Sequence, residues 1–96
     1  MTDRRLLSED ERRAALAELP GWELREGRLC RSFRFTGFVE AFGFMTQVAR
    51  VAERLNHHPD WSNAYNRVEI ALTTHDLGGL STLDVELARR IAELAG

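Results

Sequence analysis

Glu53-Arg54-Leu55-Asn56-His57-His58-Pro59-Asp60-Trp61 sets two adjacent histidines at the end of a helical pattern, four residues after a carboxylate. His75-Asp76 holds the one other histidine of the chain and closes an alternating segment in the same half. Imidazole changes charge near neutral pH, so three converging rings suit proton transfer, one ring giving while another takes. Trp61 and Tyr65 lie between them and offer flat surfaces to a flat ring. Glu53 and His57 are four apart, which makes them neighbours on a helix and lets the carboxylate fix the imidazole's tautomer. The helix C-terminus favours the charged form of His57 and His58 in the same way. A plain use competes with each of these. A single histidine at a helix C-terminus often only complements the dipole, His75 can be an exposed strand end, and Trp61 and Tyr65 are more often core aromatics. Asp76 and Asp84 can be loop and cap residues alone.

Other chemistries fit less well. Three histidines can hold zinc, but adjacent His57 and His58 cannot easily face one ion, and no HxxxH or HxH pair is present. Cys30, the only cysteine, is far from the histidines in sequence, with no nucleophile signature around it. No glycine loop is built to cradle phosphate.

At 96 residues the chain fits a single domain, 1–96, and 44% hydrophobic residues suffice for one core. A core this small makes association with a second copy unsurprising. A net charge of −2 argues against general affinity for nucleic acid or anionic membrane. No run has transmembrane length, and MTDRRLLSEDERR lacks the apolar centre of a signal peptide. With one cysteine no internal disulfide forms, so the expected compartment is a reducing cytoplasm. All 13 basic residues are arginine, which reads as the codon bias of a GC-rich genome.

The elements that must position the histidines follow from caps and periodicity. Ser8 and Glu11 form a capping-box pattern for a helix over Glu9–Leu19, ended by Pro20-Gly21. Trp22–Arg25 and Arg28–Phe35 read as strands around a Glu26-Gly27 turn, with Leu29, Phe33 and Phe35 on one face and Arg28, Cys30, Ser32 and Arg34 on the other. Thr36 is placed to cap a second helix, Gly37–Asn56, which Pro59 stops. Its apolar residues cover roughly half the wheel, against the ~100° one buried face needs. Phe44 and Val51 mark the edge of that arc away from Phe42, so this edge either packs in the core or meets another subunit. Trp61–Tyr65 reads as a short strand, Asn66-Arg67 as a turn and Val68–Thr74 as a strand whose Val68, Ile70, Leu72 and Thr74 alternate with a more polar face ending at His75. After the bend at Gly78-Gly79, Ser81 and Asp84 cap a last helix striped by Leu83, Leu87, Ile91 and Leu94. The order predicts an α+β domain, a small four-stranded antiparallel sheet with three helices on one face.

Glu53, His57-His58-Pro59, Tyr65, His75-Asp76 and Asp84, with Trp61, Asn63, Val68, Ile70, Leu72, Thr74, Gly79 and Leu80, resemble the long gapped signature of the pterin-4a-carbinolamine dehydratases. The likeness runs over almost the whole chain, and that family's fold agrees with the element order. It implies dehydration of 4a-hydroxytetrahydropterin, the product left by aromatic amino acid hydroxylases, to quinonoid dihydropterin, with no metal and no bound cofactor. A ring nitrogen's lone pair expels the 4a-hydroxyl, an acid protonates the leaving oxygen and a base accepts a ring N–H proton.

The resemblance makes His57, His58 and His75 the acid–base set. His58 and His75 would flank the 4a-carbon, and His57, oriented by Glu53, would bind the pyrimidine side. Trp61 would wall the pocket, and Asp60 and Asp76 would hydrogen-bond nearby backbone or imidazole N–H groups. Thr73, Thr74 and His75 end a strand, where free backbone groups could meet the pterin edge. Many relatives carry a basic residue where this chain has Leu83, which puts affinity or the preferred pterin in question. Relatives are usually dimers or tetramers, and some in animals are dimerisation partners of a homeodomain transcription factor. Two other readings stay open: a non-catalytic oligomerisation module of the same fold, and an enzyme for another pterin, from molybdenum-cofactor or folate metabolism.

Overall fold

The computed structural model describes residues 4–96, so the first three residues of the segment read for a signal peptide lie outside it. Three helices and four strands follow in the expected order. They are α1 (Glu9–Glu18), β1 (Glu23–Arg25), β2 (Arg28–Arg34), α2 (Phe38–Leu55), β3 (Asp60–Ala64), β4 (Arg67–Leu72) and α3 (Thr82–Ala95). The sheet is antiparallel throughout, in the order β1-β2-β4-β3. Each hairpin closes through two residues. Glu26 and Gly27 both take left-handed φ, at 49° and 77°, which matches the twist of a tight hairpin.

Alternation decides the two faces of the sheet. Leu29, Phe33, Val68, Ile70 and Leu72 point into the core against Ala41, Phe44, Val48 and Ala52 of α2 and Leu87, Ala88 and Ile91 of α3. Arg31 falls on this apolar face by period two and places its guanidinium 4.4 Å from the centre of the Phe33 ring. Burial of one apolar face each on β2, β4, α2 and α3 is the main stabilising term, at about 25 cal/mol per Å2 of apolar surface removed from water.

Four local expectations are corrected. The cap of α2 is Gly37, not Thr36, and it makes no side-chain cap bond. The β3–β4 turn is Tyr65-Asn66, not Asn66-Arg67, and Tyr65 takes φ 54°. Asn63 holds it by donating to the carbonyls of Tyr65 and Arg67 at 3.1 and 2.9 Å. On α3 the stripe is Leu83, Leu87, Ala88 and Ile91, while Leu94 is exposed. On α2 Phe44 is buried against Phe33 and Phe35, ring centres 4.9 and 4.8 Å away, so it is no outer edge. The exposed apolar residues lie on the Phe42 side, as Phe38, Val39 and Phe42.

Candidate active site

The end of α2 sets the direction of both adjacent histidines. Asn56 takes the left-handed conformation, φ 51° and ψ 43°, and stops the helix before Pro59 has any part in it. Its N–H bonds the Glu53 carbonyl, and the His57 N–H reaches the Ala52 carbonyl at 3.0 Å. This is the paired closure of a Schellman turn, with asparagine where glycine is commonest. Beyond it His57 is buried and His58 exposed.

Each of the three imidazoles has its own carboxylate, and each meets it through Nε2. His57 Nε2 lies 2.6 Å from Asp84 Oδ1. His58 Nε2 lies 2.9 Å from Glu53 Oε1. His75 Nε2 lies 3.4 Å from Asp60 Oδ2. The expected Glu53–His57 pair is therefore replaced. The i, i+4 rule holds only where both residues are helical, and His57 stands past the left-handed Asn56.

The His57 pair belongs to a closed polar network. Asp84 is wholly buried, and its Oδ2 accepts from the Thr74 hydroxyl and the Ser81 N–H, both at 2.8 Å. Thr74 spends its one hydroxyl proton on Asp84, so the Ser81 hydroxyl, 2.6 Å away, donates to Thr74 Oγ1. Ser81 Oγ in turn accepts the Leu83 N–H at 3.2 Å. With both Asp84 oxygens engaged as acceptors, His57 donates from Nε2 and its Nδ1 is the nitrogen left over. Such a network holds a buried charge only while each member is paired.

The other two pairs are open to water. The Glu53 side chain is 81% exposed, and those of His75 and Asp60 are 70% and 52% exposed. His75 opens a single 3-10 turn, His75–Leu77, and does not extend β4. The Thr74 backbone is not free, contrary to expectation: its N–H bonds Gly79, and its carbonyl accepts from Leu77 and Gly78. Thr73 follows the last residue of β4 and is half-buried. Asp76 bonds neither imidazole nor a neighbour's N–H. Its carboxylate pairs with Arg4, which holds it below the usual carboxylate range.

Trp61 packs half-buried against the core, and with Asp60 and Ser62 it lines a trough of about 480 Å3 reaching to Cys30 and Glu69. No histidine lines that trough, so it is not the histidine-lined pocket expected behind Trp61, and Asp60 and Trp61 are the expected site residues that border it. Burial pushes the Cys30 thiol up, away from a reactive thiolate. Leu83 is buried at the start of α3. Among the described residues, no three of His, Cys, Asp and Glu are grouped so as to hold a metal ion, and no helix is long and apolar enough to cross a membrane. Sequence reasoning missed the joining of Thr74 and Ser81 to Asp84 and His57. The available signal was Asp84's place three and four residues before Leu87 and Ala88, on the buried stripe of α3.

The profile of the family described as pterin 4 alpha carbinolamine dehydratase matches residues 5–94. A protein of Synechococcus sp. (strain WH7803), named "Putative pterin-4-alpha-carbinolamine dehydratase", is 58% identical over 93% of this chain and 96% of its own. One of the same name from Afipia carboxidovorans is 54% identical over 94% and 92%. The crystal structure of a transcriptional coactivator/pterin dehydratase from Brucella melitensis superposes with a TM-score of 0.92 at 46% identity, covering 96% of this chain and all of that one. A pterin dehydratase-like protein described as a RuBisCO assembly factor in the alpha-carboxysome shares the fold, with a TM-score of 0.64 at 24% identity over 78% of this chain and 87% of its own.

Proposed function

Because this chain belongs to the pterin 4 alpha carbinolamine dehydratase family, we propose that it dehydrates a 4a-hydroxytetrahydropterin to the quinonoid dihydropterin and water. The C4a–O bond breaks, a C=N bond forms, the oxygen leaves as water with a proton from an acid, and a base takes the ring N–H proton. The electrons stay within the substrate, so the reaction calls for no metal and no redox cofactor. The observation that carries this reading is the separate carboxylate on each imidazole, which orients each ring independently for acid–base work.

His58 and His75, the exposed pair, exchange protons with substrate. His57, held by Asp84 and not by Glu53, binds the pyrimidine side. Asp60 and Glu53 act through their imidazoles, while Trp61, Thr73, Thr74 and Asp76 border the site. In the cytoplasm the reaction would return the pterin used by an aromatic amino acid hydroxylase. The test is breakdown of freshly made 4a-hydroxytetrahydropterin, followed by ultraviolet absorbance. Wild type accelerates it, and His58→Ala and His75→Ala each cost roughly a hundredfold. A folded wild-type protein without effect, or near-normal rates in both variants, rules the reading out.

The chain self-associates, as a dimer or tetramer, through the α2 edge formed by Phe38, Val39 and Phe42, each half exposed or more. Phe42→Glu then lowers the mass seen by sedimentation. An unchanged mass places the interface elsewhere.

A further inference from the structure

Arg28 opens β2 and belongs to none of the motifs from which the site is built. Its Nη1 nevertheless lies 3.3 Å from Asp60 Oδ2, the same oxygen that faces His75 Nε2 at 3.4 Å. The sheet order explains the reach. Leu29 pairs with Leu72, and Asp60 pairs with Ala71 on the far side of β4. Arg28 therefore spans the end of β4, past its last residue, to touch the first residue of β3. His75 emerges at that same end, on its one-turn helix.

On the dehydratase reading above, which this deepens, we propose that Arg28 is a positioning residue that clamps Asp60 against His75 Nε2 and so makes His75 Nδ1 the base. His75 Nε2 and Asp60 Oδ2 meet at ion-pair distance, and a carboxylate beside Nε2 favours the neutral ring's proton there and the lone pair on Nδ1. Nδ1 makes no hydrogen bond to any described residue. A clamp is needed here because the parts are exposed. Asp60 sits at the first position of its strand, and His75 stands on a single turn, so packing alone does not hold either side chain. Asp60 Oδ2 accepts a hydrogen bond from Arg28 and faces His75 Nε2 as an ion pair. A pair this open to solvent adds little to stability, so the effect belongs in the chemistry and not in the fold.

The experiment records 15N shifts of the His75 ring in the whole protein, beside dehydration kinetics, for wild type, Arg28→Ala, Arg28→Lys, Asp60→Asn and the Arg28→Ala/Asp60→Asn double variant. Arg28→Ala moves His75 from one tautomer toward a mixture and lowers kcat roughly two- to fivefold at unchanged KM. Arg28→Lys restores part of both, and Arg28→Ala adds nothing once Asp60 is Asn. Identical His75 shifts in wild type and Arg28→Ala overturn the clamp, and so does a full extra loss in the double variant. If wild type fails to dehydrate the pterin, the functional reading falls, and the shifts still decide whether Arg28 sets the tautomer.

Discussion

The capping box that starts α1 and the one that starts α3 are written alike, a serine followed three residues later by an acid. In α1, Ser8 Oγ accepts from the Glu11 N–H at 3.1 Å, and Glu11 Oε1 accepts from the Ser8 N–H at 2.9 Å. In α3, Asp84 Oδ2 accepts from the Ser81 N–H at 2.8 Å. The two boxes lie side by side, because the Leu7 N–H bonds the Leu80 carbonyl and the Thr82 N–H bonds the Arg5 carbonyl. Glu11's further partner is Arg5, held through both carboxylate oxygens near the surface. Asp84 gathers Thr74, Ser81 and His57 in the interior. What separates them is the helix face behind each acid. Ala14 is exposed and Ala15 half-buried, whereas Leu87 and Ala88 are fully buried. One local code therefore yields a plain cap or the hub of a buried polar network according to the stripe it sits on.

The strongest way to test this contrast is Asp84→Ala. It leaves His57, Thr74 and the Ser81 N–H facing an empty space inside the protein, and should cost about 3–5 kcal/mol in urea unfolding, together with activity. That is a large share of a small domain's total stability of roughly 5–15 kcal/mol. A loss under about 1 kcal/mol would mean that Asp84 is no more than a cap.

A smaller effect should appear at the other box. The Arg5 guanidinium and the Ser8 N–H lower Glu11 from its ordinary 4.5 to about 2. A depressed carboxyl contributes stability that is fully present above 4.5 and lost as pH falls through about 2. Solvent screening keeps the contribution small. Protection of the first-turn amides of α1, relative to their intrinsic exchange at each pH, should therefore fall between those two pH values, and Glu11→Gln should already show the lower protection at neutral pH. Equal protection across that window, with Glu11→Gln unchanged, would remove Glu11 from the cap.

Most of the fold was legible in the sequence because it is specified locally. Caps at Ser8 and Ser81 and the period-two faces of β2 and β4 place most helix and strand ends within a residue or two. What escaped depends on contacts between distant elements. A helical wheel cannot say which edge of α2 is covered, and that is decided by Phe33 and Phe35 closing over Phe44. At the site the three histidines were visible by residue type, and their partners were not. The left-handed Asn56 breaks the periodicity that would have joined Glu53 to His57, and it sends that ring toward Asp84, 27 positions away.

That separation also orders events in time. Glu53 and His58 are five positions apart, so their contact can form as soon as the end of α2 does. The His57–Asp84 contact must wait for a much longer loop to close, with the β3–β4 hairpin formed and α3 docked. A refolding chain should therefore regain helix before the His57–Asp84 contact of the candidate site. On the proposed function, turnover would be a clock for the last step of assembly and not for the first.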